Sequence, residues 1–300
     1  IKAIIHQGKY DLVLDSEADT LIFRNLKQML ESSEDPVERS VLHSMLGELY
    51  LQYYDKERWS IDRRTAISGY LPEDMKEWSK NNLFDKAVEH LNASIDQQKK
   101  LEETEVKSYE PLVVLGKDSR RFYPSMYDFL ALRAIEFLAR INDDSDLSRF
   151  LSRKGITQQE LFLPAEEFVK LKFDPKPGEY DLWALECYKK LLLSLSGRGL
   201  DKAVALTDLS RCDYLAQLHD AYRQYALPLL QSLQQRWEED PVSVEIIDKI
   251  ADLYLSQIGE LPQEDTVKRA DKTRELYRLL QRGVQQFPGY GRTALLENRL

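Results

Sequence analysis

The four histidines are the residues of this chain with the widest range of chemistry, because imidazole titrates near neutral pH and binds metal ions. They are His6, His43, His90 and His219. No two of them form a His-x-x-x-His pair, so a zinc site would need ligands from distant segments. His43 and His90 come together if the two helices that carry them pack as a hairpin. A hydrogen-bonded structural role is the better interpretation of each histidine, and the sequence predicts no metal site and no cofactor.

The two cysteines, Cys187 and Cys212, are the only thiols of the chain. Their spacing does not fit a metal site, and neither is flanked by residues typical of a nucleophile. Buried thiols on helices are a more frequent outcome than a disulfide for such isolated cysteines. A Gly-x-Ser-x-Gly elbow, which would indicate a serine hydrolase, does not occur in the sequence.

Two further patterns are poor candidates for catalysis. The segment Gly116-Lys117-Asp118-Ser119 lacks both the first glycine of a phosphate loop and the Ser or Thr that would follow its lysine. The pair Glu166-Glu167 is adjacent in sequence, so on a helix its carboxylates point apart. The sequence therefore predicts a protein that is not an enzyme. One alternative stays open, a site assembled from distant residues around His43, His90 and Asp128.

A group of aromatic and arginine side chains is the best candidate for binding. It lies in a predicted irregular insert at 56–71 and its vicinity, and consists of Arg58, Trp59, Arg63, Arg64 and Tyr70. Long ordered loops on rigid helices often carry binding residues, and Trp, Tyr and Arg are frequent interface anchors. If this domain has a partner surface of its own, we therefore expect it to centre on this insert, at 56–78. The alternative is a local cap, in which Trp59 and Tyr70 fill a gap between helices.

Two amphipathic helices must position this insert. The first has apolar residues at one face of a 3.6-residue period: Val41, Leu42, Met45, Leu46, Leu49, Tyr50, Tyr53 and Tyr54. The second, which we expect to begin at Pro72, has an apolar side made of Phe84, Ala87, Val88, Leu91 and Ile95. Neither helix can bury its face alone, so the sequence predicts a helical hairpin with Leu46 and Leu49 inside.

The composition favours an all-α fold, because 31% of the residues are charged and only 12 glycines and 11 prolines interrupt the chain. Further helices are expected near 18–31, 124–141, 146–153, 180–196, 200–211, 213–239, 242–258 and 265–287. Pro228 should kink or divide the helix that contains it. At most a short extended segment is expected, near 112–115.

Two pairs of half-motifs match tetratricopeptide repeats. The first is Leu46-Gly47-x-x-Tyr50 with Ala87 and Leu91, and the second is Ala251-x-x-Tyr254 with the segment from Gly283 to Pro288. The sequence therefore predicts an irregular tetratricopeptide-like array of antiparallel helical hairpins. A looser region rich in proline suggests two halves, 1–160 with the insert and 161–300, although one continuous array is the alternative.

Charge and hydropathy limit the partners. The formal net charge of −9 disfavours nucleic acid, whose phosphates require matching basic charge. No apolar run approaches the roughly 20 residues of a membrane-spanning helix, so we expect no such segment in this chain. The sequence begins with Ile1, without Met or a signal segment, and we expect it to be a piece of a longer product.

Several phrases resemble the helical N-terminal region of large bacterial alpha-2-macroglobulin-family proteins of the Bacteroidetes type. Between 36 and 131 they are Pro36-Val37-Glu38-x-Ser40-Val41-Leu42-His43-Ser44-Met45-Leu46-x-Glu48-Leu49-Tyr50, Tyr53-Tyr54, Arg58-Trp59, Arg64-Thr65, Tyr70-x-Pro72-Glu73-Asp74-x-x-x-Trp78, Phe84-Asp85-x-x-Val88-x-His90, Gly116-Lys117-Asp118-Ser119-Arg120 and Pro124-x-Met126-Tyr127-Asp128-Phe129-Leu130-Ala131. Phe287-Pro288-x-Tyr290-Gly291 extends the resemblance near the end, whereas it is thin between 140 and 240.

The resemblance implies an exported protein of the cell envelope that faces the periplasm, where the complete molecule inhibits endopeptidases by trapping them. It implies macroglobulin-type domains downstream in the same chain as partners, together with envelope proteins or target proteases. This segment would be a non-catalytic domain for interaction or placement. Neither Cys187 nor Cys212 fits the family's Cys-x-Glu-Gln thioester, and no functional residue of the family carries over. The rival hypothesis is a stand-alone repeat adaptor that binds a peptide or glycan in a groove lined by aromatic and arginine side chains.

Overall fold

The computed structural model describes residues 18–64, 71–110, 116, 119–141 and 147–300, with the side chains of 18–20 left aside. The described residues form helices and no strand, so the predicted all-α fold is confirmed. Within them the extended backbone pairs only at an isolated bridge between Glu105 and Ser125. The predicted extended segment near 112–115 lies outside the described residues.

The described residues divide between two compact units. The α-helices are α1 (Ala18–Ser32), α2 (Pro36–Ile61), α3 (Lys80–Ala93), α4 (Gln98–Glu102), α5 (Ser119–Phe122), α6 (Met126–Ala139), α7 (Leu147–Lys154), α8 (Ala165–Phe168), α9 (Tyr180–Gly197), α10 (Asp201–Leu218), α11 (Arg223–Arg236), α12 (Ser243–Glu260), α13 (Thr266–Gln286) and α14 (Thr293–Glu297). Short 3-10 helices lie at Met75–Glu77, Val106–Tyr109, Gln159–Phe162 and Asp220–Tyr222. The first unit comprises the described residues of Ile1–Phe150 and Phe173–Leu191, and the second comprises Leu151–Lys172 and Leu192–Leu300. The division at 160 and the repeat arrangement stay predictions.

Helix α2 is the centre of the first unit and packs against α1, α3 and α6. It begins as expected at Pro36, which needs no hydrogen-bond partner there, and the Asp35 carboxylate accepts a 2.9 Å hydrogen bond from the Val37 amide. It ends later than expected, so 56–61 of the predicted insert is helical. Ile61 explains the extension, because it follows Tyr54 by about two helical turns and is fully buried on the same side.

Burial on α2 is wider than the single predicted stripe. Leu46 is buried as expected, whereas Leu49 is only half-buried, and the small residues Ser40, Ser44 and Gly47 are buried instead. A helix with neighbours on three sides buries more than one face. A search for large apolar residues misses the additional buried face, because small residues form part of it. The contact with α6 explains why Ser44 is buried, because its hydroxyl accepts a 3.2 Å hydrogen bond from Nε of Arg133 on that helix.

Helix α3 begins at Lys80 and not at Pro72, which corrects the sequence prediction. Ser79 and Asn82 form a capping box, in which the Ser79 hydroxyl accepts from the Asn82 amide and the Asn82 side chain accepts from the Ser79 amide. Pro72 instead precedes the 3-10 turn Met75–Glu77, which Asp74 caps. The apolar side of α3 is buried as predicted: Phe84, Ala87, Val88, Leu91 and, just beyond its end, Ile95.

In the second unit, each helix from α10 to α13 packs against the next helix along the chain. Helix α10 runs through the expected break near 211–213 and stops at His219, because Arg211 and Cys212 are buried inside it. Pro228 does not divide α11. Its missing amide leaves the Gln224 carbonyl without a helical donor, but both residues are exposed, so water can reach that carbonyl. None of the described helices is long and apolar enough to cross a lipid bilayer.

Two glycines allow helices to approach closely at the predicted half-motifs. A Cβ added to Gly47 on α2 would lie 2.7 Å from Leu91 Cγ and 3.2 Å from the Ala87 carbonyl oxygen on α3. A Cβ added to Gly283 on α13 would lie 2.6 Å from Leu296 Cδ1. Each glycine therefore sits where no side chain fits.

We expect Gly47→Ala to lower the free energy of unfolding by about 1–3 kcal/mol, because the added methyl group overlaps Leu91. Gly259→Ala in α12 is the matched control, since its Cβ would meet no atom within 4 Å. That change should be neutral or stabilise by up to about 1 kcal/mol through helix propensity. Urea unfolding followed by circular dichroism measures both, and equal effects of the two substitutions would contradict the close packing at Gly47.

Candidate functional site

Three of the predicted partner residues lie together at the carboxyl-terminal end of α2 and just beyond it. The indole of Trp59 is 85% exposed, and Arg58 and Arg63 are exposed as well. Arg58 Nε lies 3.5 Å from Asp62 Oδ2, an ion pair one helical turn apart. Tyr70, the fifth predicted member of the surface, lies outside the described residues. We call Arg58, Trp59 and Arg63 the α2 edge.

Arg64 has a different environment and a structural role. Its Nη1 donates a 2.9 Å hydrogen bond to the carbonyl oxygen of Trp78, and its Nη2 donates a 3.2 Å hydrogen bond to the hydroxyl of Ser60. The guanidinium thereby ties the end of α2 to the segment before α3. A surface that depends on these residues needs Arg64 to hold the chain in place.

Trp78, and not Trp59, is the buried tryptophan of this region. Its ring is buried and stacks on Tyr50 at 5.7 Å between centroids, and its Nε1 donates a 2.8 Å hydrogen bond to the Pro72 carbonyl. The cap hypothesis is therefore wrong for Trp59, whose side chain faces solvent. An exposed indole on a rigid helix has apolar area and an N–H donor available for a partner.

A small groove adjoins the α2 edge and includes Arg58. Its volume is about 180 Å³, and its lining consists of Leu51, Tyr54, Asp55, Arg58, Phe84, Arg140 and Ile141. Arg140 Nη2 lies 3.2 Å from Asp55 Oδ2, so the second arginine is held by an ion pair. The Tyr54 hydroxyl donates a 2.9 Å hydrogen bond to Asp62 Oδ1, and burial raises the pKa of this phenol. The lining of this groove thus combines two aromatic rings, Tyr54 and Phe84, with two arginines, Arg58 and Arg140.

His43 and His90 meet between α2 and α3, as the hairpin predicts. Their Nδ1 atoms lie 2.9 Å apart, so one imidazole donates a hydrogen bond and the other accepts it. Burial lowers the pKa of both residues, and for His90 burial together with the charge of His43 lowers the pKa to about 4. The His90 ring also stacks on Tyr50 at 5.7 Å. The pair is neutral near pH 7 and supports the packing of the hairpin.

Other groups with catalytic potential are engaged in the fold. Asp128 is buried in a capping box, where its Oδ2 accepts a 3.0 Å hydrogen bond from the Ser125 amide at the start of α6. Cys187 and Cys212 are free and buried, and burial raises the pKa of each thiol to about 12. Neutral thiols are poor nucleophiles. In the described ranges, no three His, Cys, Asp or Glu side chains form a group that could hold a metal ion.

Sequence reasoning missed a buried ion pair on α10. Arg211 and Asp208 are both inaccessible to solvent, with Arg211 Nε 2.9 Å from Asp208 Oδ1. Arg211 also donates to the carbonyl oxygens of Leu161 and Leu163, and its guanidinium lies 4.0 Å from the ring centroid of Phe168. The available signal was an acid and a base three positions apart within an otherwise apolar part of the helix.

Comparisons with known proteins do not assign a family or a function to this chain. No family model, no curated protein and no solved structure matches the chain. Function must therefore be inferred from the α2 edge, the adjoining groove and the phrases of the sequence that resemble a known family.

We expect acid to destabilise the hairpin through His90. Its pKa is about 4 in the fold and 6.5 in a model peptide, so between these values the unfolded chain binds a proton that the folded chain does not. The free energy of unfolding should therefore fall as the pH drops from 6.5 towards 4, by at most about 1.4 kcal/mol per pH unit from this residue. The His90→Gln variant should show a shallower fall.

Urea unfolding at several pH values measures the difference between wild type and variant. His219→Gln is the control, because His219 is exposed and caps a 3-10 turn through its own ring nitrogen. If His90→Gln and wild type lose stability in parallel, the histidine pair does not carry the acid sensitivity.

Proposed function

We propose that this chain is a non-catalytic helical interaction domain, which belongs to the N-terminal part of an alpha-2-macroglobulin-like endopeptidase inhibitor of the cell envelope. Its task would be to hold or place the inhibitor through contacts with the downstream macroglobulin-type domains, with envelope proteins or with target proteases. The resemblance between 36 and 131 motivates the family, and the all-α fold is compatible with an interaction domain.

The residues of the resemblance support the proposal through what they do in the fold. Pro36 begins α2, His43 and His90 join α2 to α3, and Trp78 fills the space beside Tyr50. Residues that build a hairpin are expected to recur wherever the same hairpin is used. Their roles are those of a scaffold, and the groups considered for catalysis are engaged in packing and capping.

One observation carries the interaction role: the 85% exposure of Trp59 on the α2 edge. A single exposed apolar residue needs no explanation on an ordinary surface. Trp59, however, is flanked by exposed Arg58 and Arg63 on a helix that is rigidly packed on the opposite side. Trp and Arg are the residue types most enriched among those that dominate binding energy at protein interfaces. The α2 edge is therefore the proposed contact with a partner.

The second candidate is a stand-alone adaptor, favoured by the groove of Tyr54, Phe84, Arg58 and Arg140. Its volume of about 180 Å³ is small for a glycan or for more than one peptide side chain. The reading frame beyond Leu300 distinguishes the two. Macroglobulin-type β-sandwich domains there support the inhibitor, and a stop codon supports the adaptor.

We expect the double variant Trp59→Ala/Arg63→Ala to lose its partner. If the α2 edge contains binding hot spots, removing the indole and one guanidinium should weaken binding at least tenfold, which corresponds to about 1.4 kcal/mol or more. Immobilised wild type and variant would be compared for recovery of proteins from an envelope extract, quantified by mass spectrometry. Arg64 is kept, because its loss would disturb the fold as well as the surface.

The matched control is Tyr277→Ala/Arg278→Ala, which removes an exposed aromatic residue and an exposed arginine from α13. It should leave recovery unchanged. Circular dichroism checks that both double variants fold as the wild type does. Equal recovery of every partner by all three proteins would mean that the α2 edge is an ordinary solvent-exposed surface.

A further inference from the structure

The hydrogen bond between His43 and His90 can form only while at least one of the two imidazoles is neutral. Their Nδ1 atoms lie 2.9 Å apart, which leaves room for one hydrogen atom between them. A cationic imidazole has a proton on both of its ring nitrogens. Two cationic rings would therefore place two N–H groups against each other, and the pair must separate once both rings are charged.

The charged groups around the pair do not offset a second positive charge. Lys27 on α1, Arg39 on α2 and Lys86 on α3 disfavour the cationic imidazoles. Glu89 on α3 and Asp96 beyond its end favour them, but Glu89 is already paired with Lys86, with 2.6 Å between Oε2 and Nζ. Burial is the largest cause that lowers the pKa of both rings. The closed hairpin therefore resists the second proton.

A continuous series of ring contacts leads from the pair to the segment before α3. The His90 ring stacks on Tyr50, and Tyr50 stacks on Trp78, each with 5.7 Å between ring centroids. Burial raises the pKa of Tyr50 to about 12, so this ring stays neutral in acid. The Trp78 carbonyl oxygen accepts a 2.9 Å hydrogen bond from Arg64. A displacement of His90 therefore reaches the end of α2 through direct contacts.

We propose that the pair of His43 and His90 is an acid-sensitive switch between α2 and α3. When both imidazoles are charged, the two helices separate around Tyr50 and Trp78, and Arg64 loses the acceptor that holds the end of α2. No covalent bond changes, so neutral solution closes the hairpin again. That opening also disturbs the α2 edge as a partner surface is a consequence that rests on the proposed function; the opening itself does not.

The switch operates between pH 6.5 and about 4. The pKa of His90 is about 4 in the fold and 6.5 in a model peptide, so in this range the open form binds a proton that the closed form does not. Each pH unit of acidification within the range therefore favours opening by about tenfold. Above pH 6.5 the pair contributes its full stabilisation to the hairpin.

Hydrogen exchange followed by mass spectrometry tests the proposal on the intact chain, without any partner. After correction for the intrinsic pH dependence of exchange, the protection of amides in α2 and α3 should fall at least about tenfold between pH 7 and pH 4.5. Amides of α12, in the second unit, should keep their protection. This comparison separates a local opening of the hairpin from unfolding of the whole chain.

His90→Gln is the decisive variant, because its amide can hydrogen-bond to His43 but cannot take up a proton. Its α2 and α3 should lose less than about threefold of their protection over the same pH range. His43→Gln removes the pair from the other helix and replaces this variant if it does not fold. His219→Gln is the matched control, since His219 is exposed, and it should behave as the wild type does.

His90→Lys tests the same switch without acid. It places a permanent charge opposite His43, so it should open the hairpin at pH 7 as far as acid opens the wild type. If it does not fold, the comparison of wild type with the glutamine variants decides alone.

Three results would overturn the proposal. They are full protection of α2 and α3 in the wild type at pH 4.5, an equal loss in the glutamine variants, and a parallel loss in α12. The partner experiment with Trp59→Ala/Arg63→Ala is run at neutral pH, where the hairpin is closed. The proposed function can therefore fail without changing the outcome of the exchange experiment.

Discussion

The close approach of α2 and α3 at Gly47 is the constraint on which the first unit depends. Without a Cβ on Gly47, Leu91 and the Ala87 backbone come within van der Waals distance of α2. Only at that separation can His43 and His90 share a 2.9 Å hydrogen bond and can Tyr54 meet the edge of Phe84 at 4.7 Å. Ring stacking and hydrogen bonding between the helices thus follow from the absence of one side chain.

Sequence reasoning succeeded where a regular period of large apolar residues was enough. It predicted the apolar side of α3, the contact between His43 and His90, and the crossing at Gly47, because each follows from placing two helices face to face. It failed at helix ends. Ser79 with Asn82 starts α3, and Ile61 prolongs α2, and both depend on contacts that a hydrophobic period does not encode.

The candidate sites were predicted less well than the fold. Arg58, Trp59 and Arg63 were identified by residue type, and the structure places them together, but their exposure depends on where α2 ends. Trp59 and Trp78 are the same type of residue, yet only Trp78 has a carbonyl oxygen that accepts from its indole and an aromatic ring on which it stacks. The role of Arg211 could not be predicted, because it donates to the carbonyl oxygens of Leu161 and Leu163, about 50 positions away in the sequence.

Two pairs of ionisable side chains show different ways in which this protein accommodates polar groups between packed helices. His43 and His90 do so without charge, since a lowered pKa keeps both imidazoles neutral and each can satisfy the other. Arg211 and Asp208 are oppositely charged, and the guanidinium has donors enough for Asp208 and two backbone carbonyls. The carboxylate has more acceptor sites than Arg211 fills, so its Oδ2 accepts no hydrogen bond. A neutral pair can close on itself with one hydrogen bond, whereas the charged pair also needs the carbonyl oxygens of Leu161 and Leu163, so it ties α10 to the segment that supplies them.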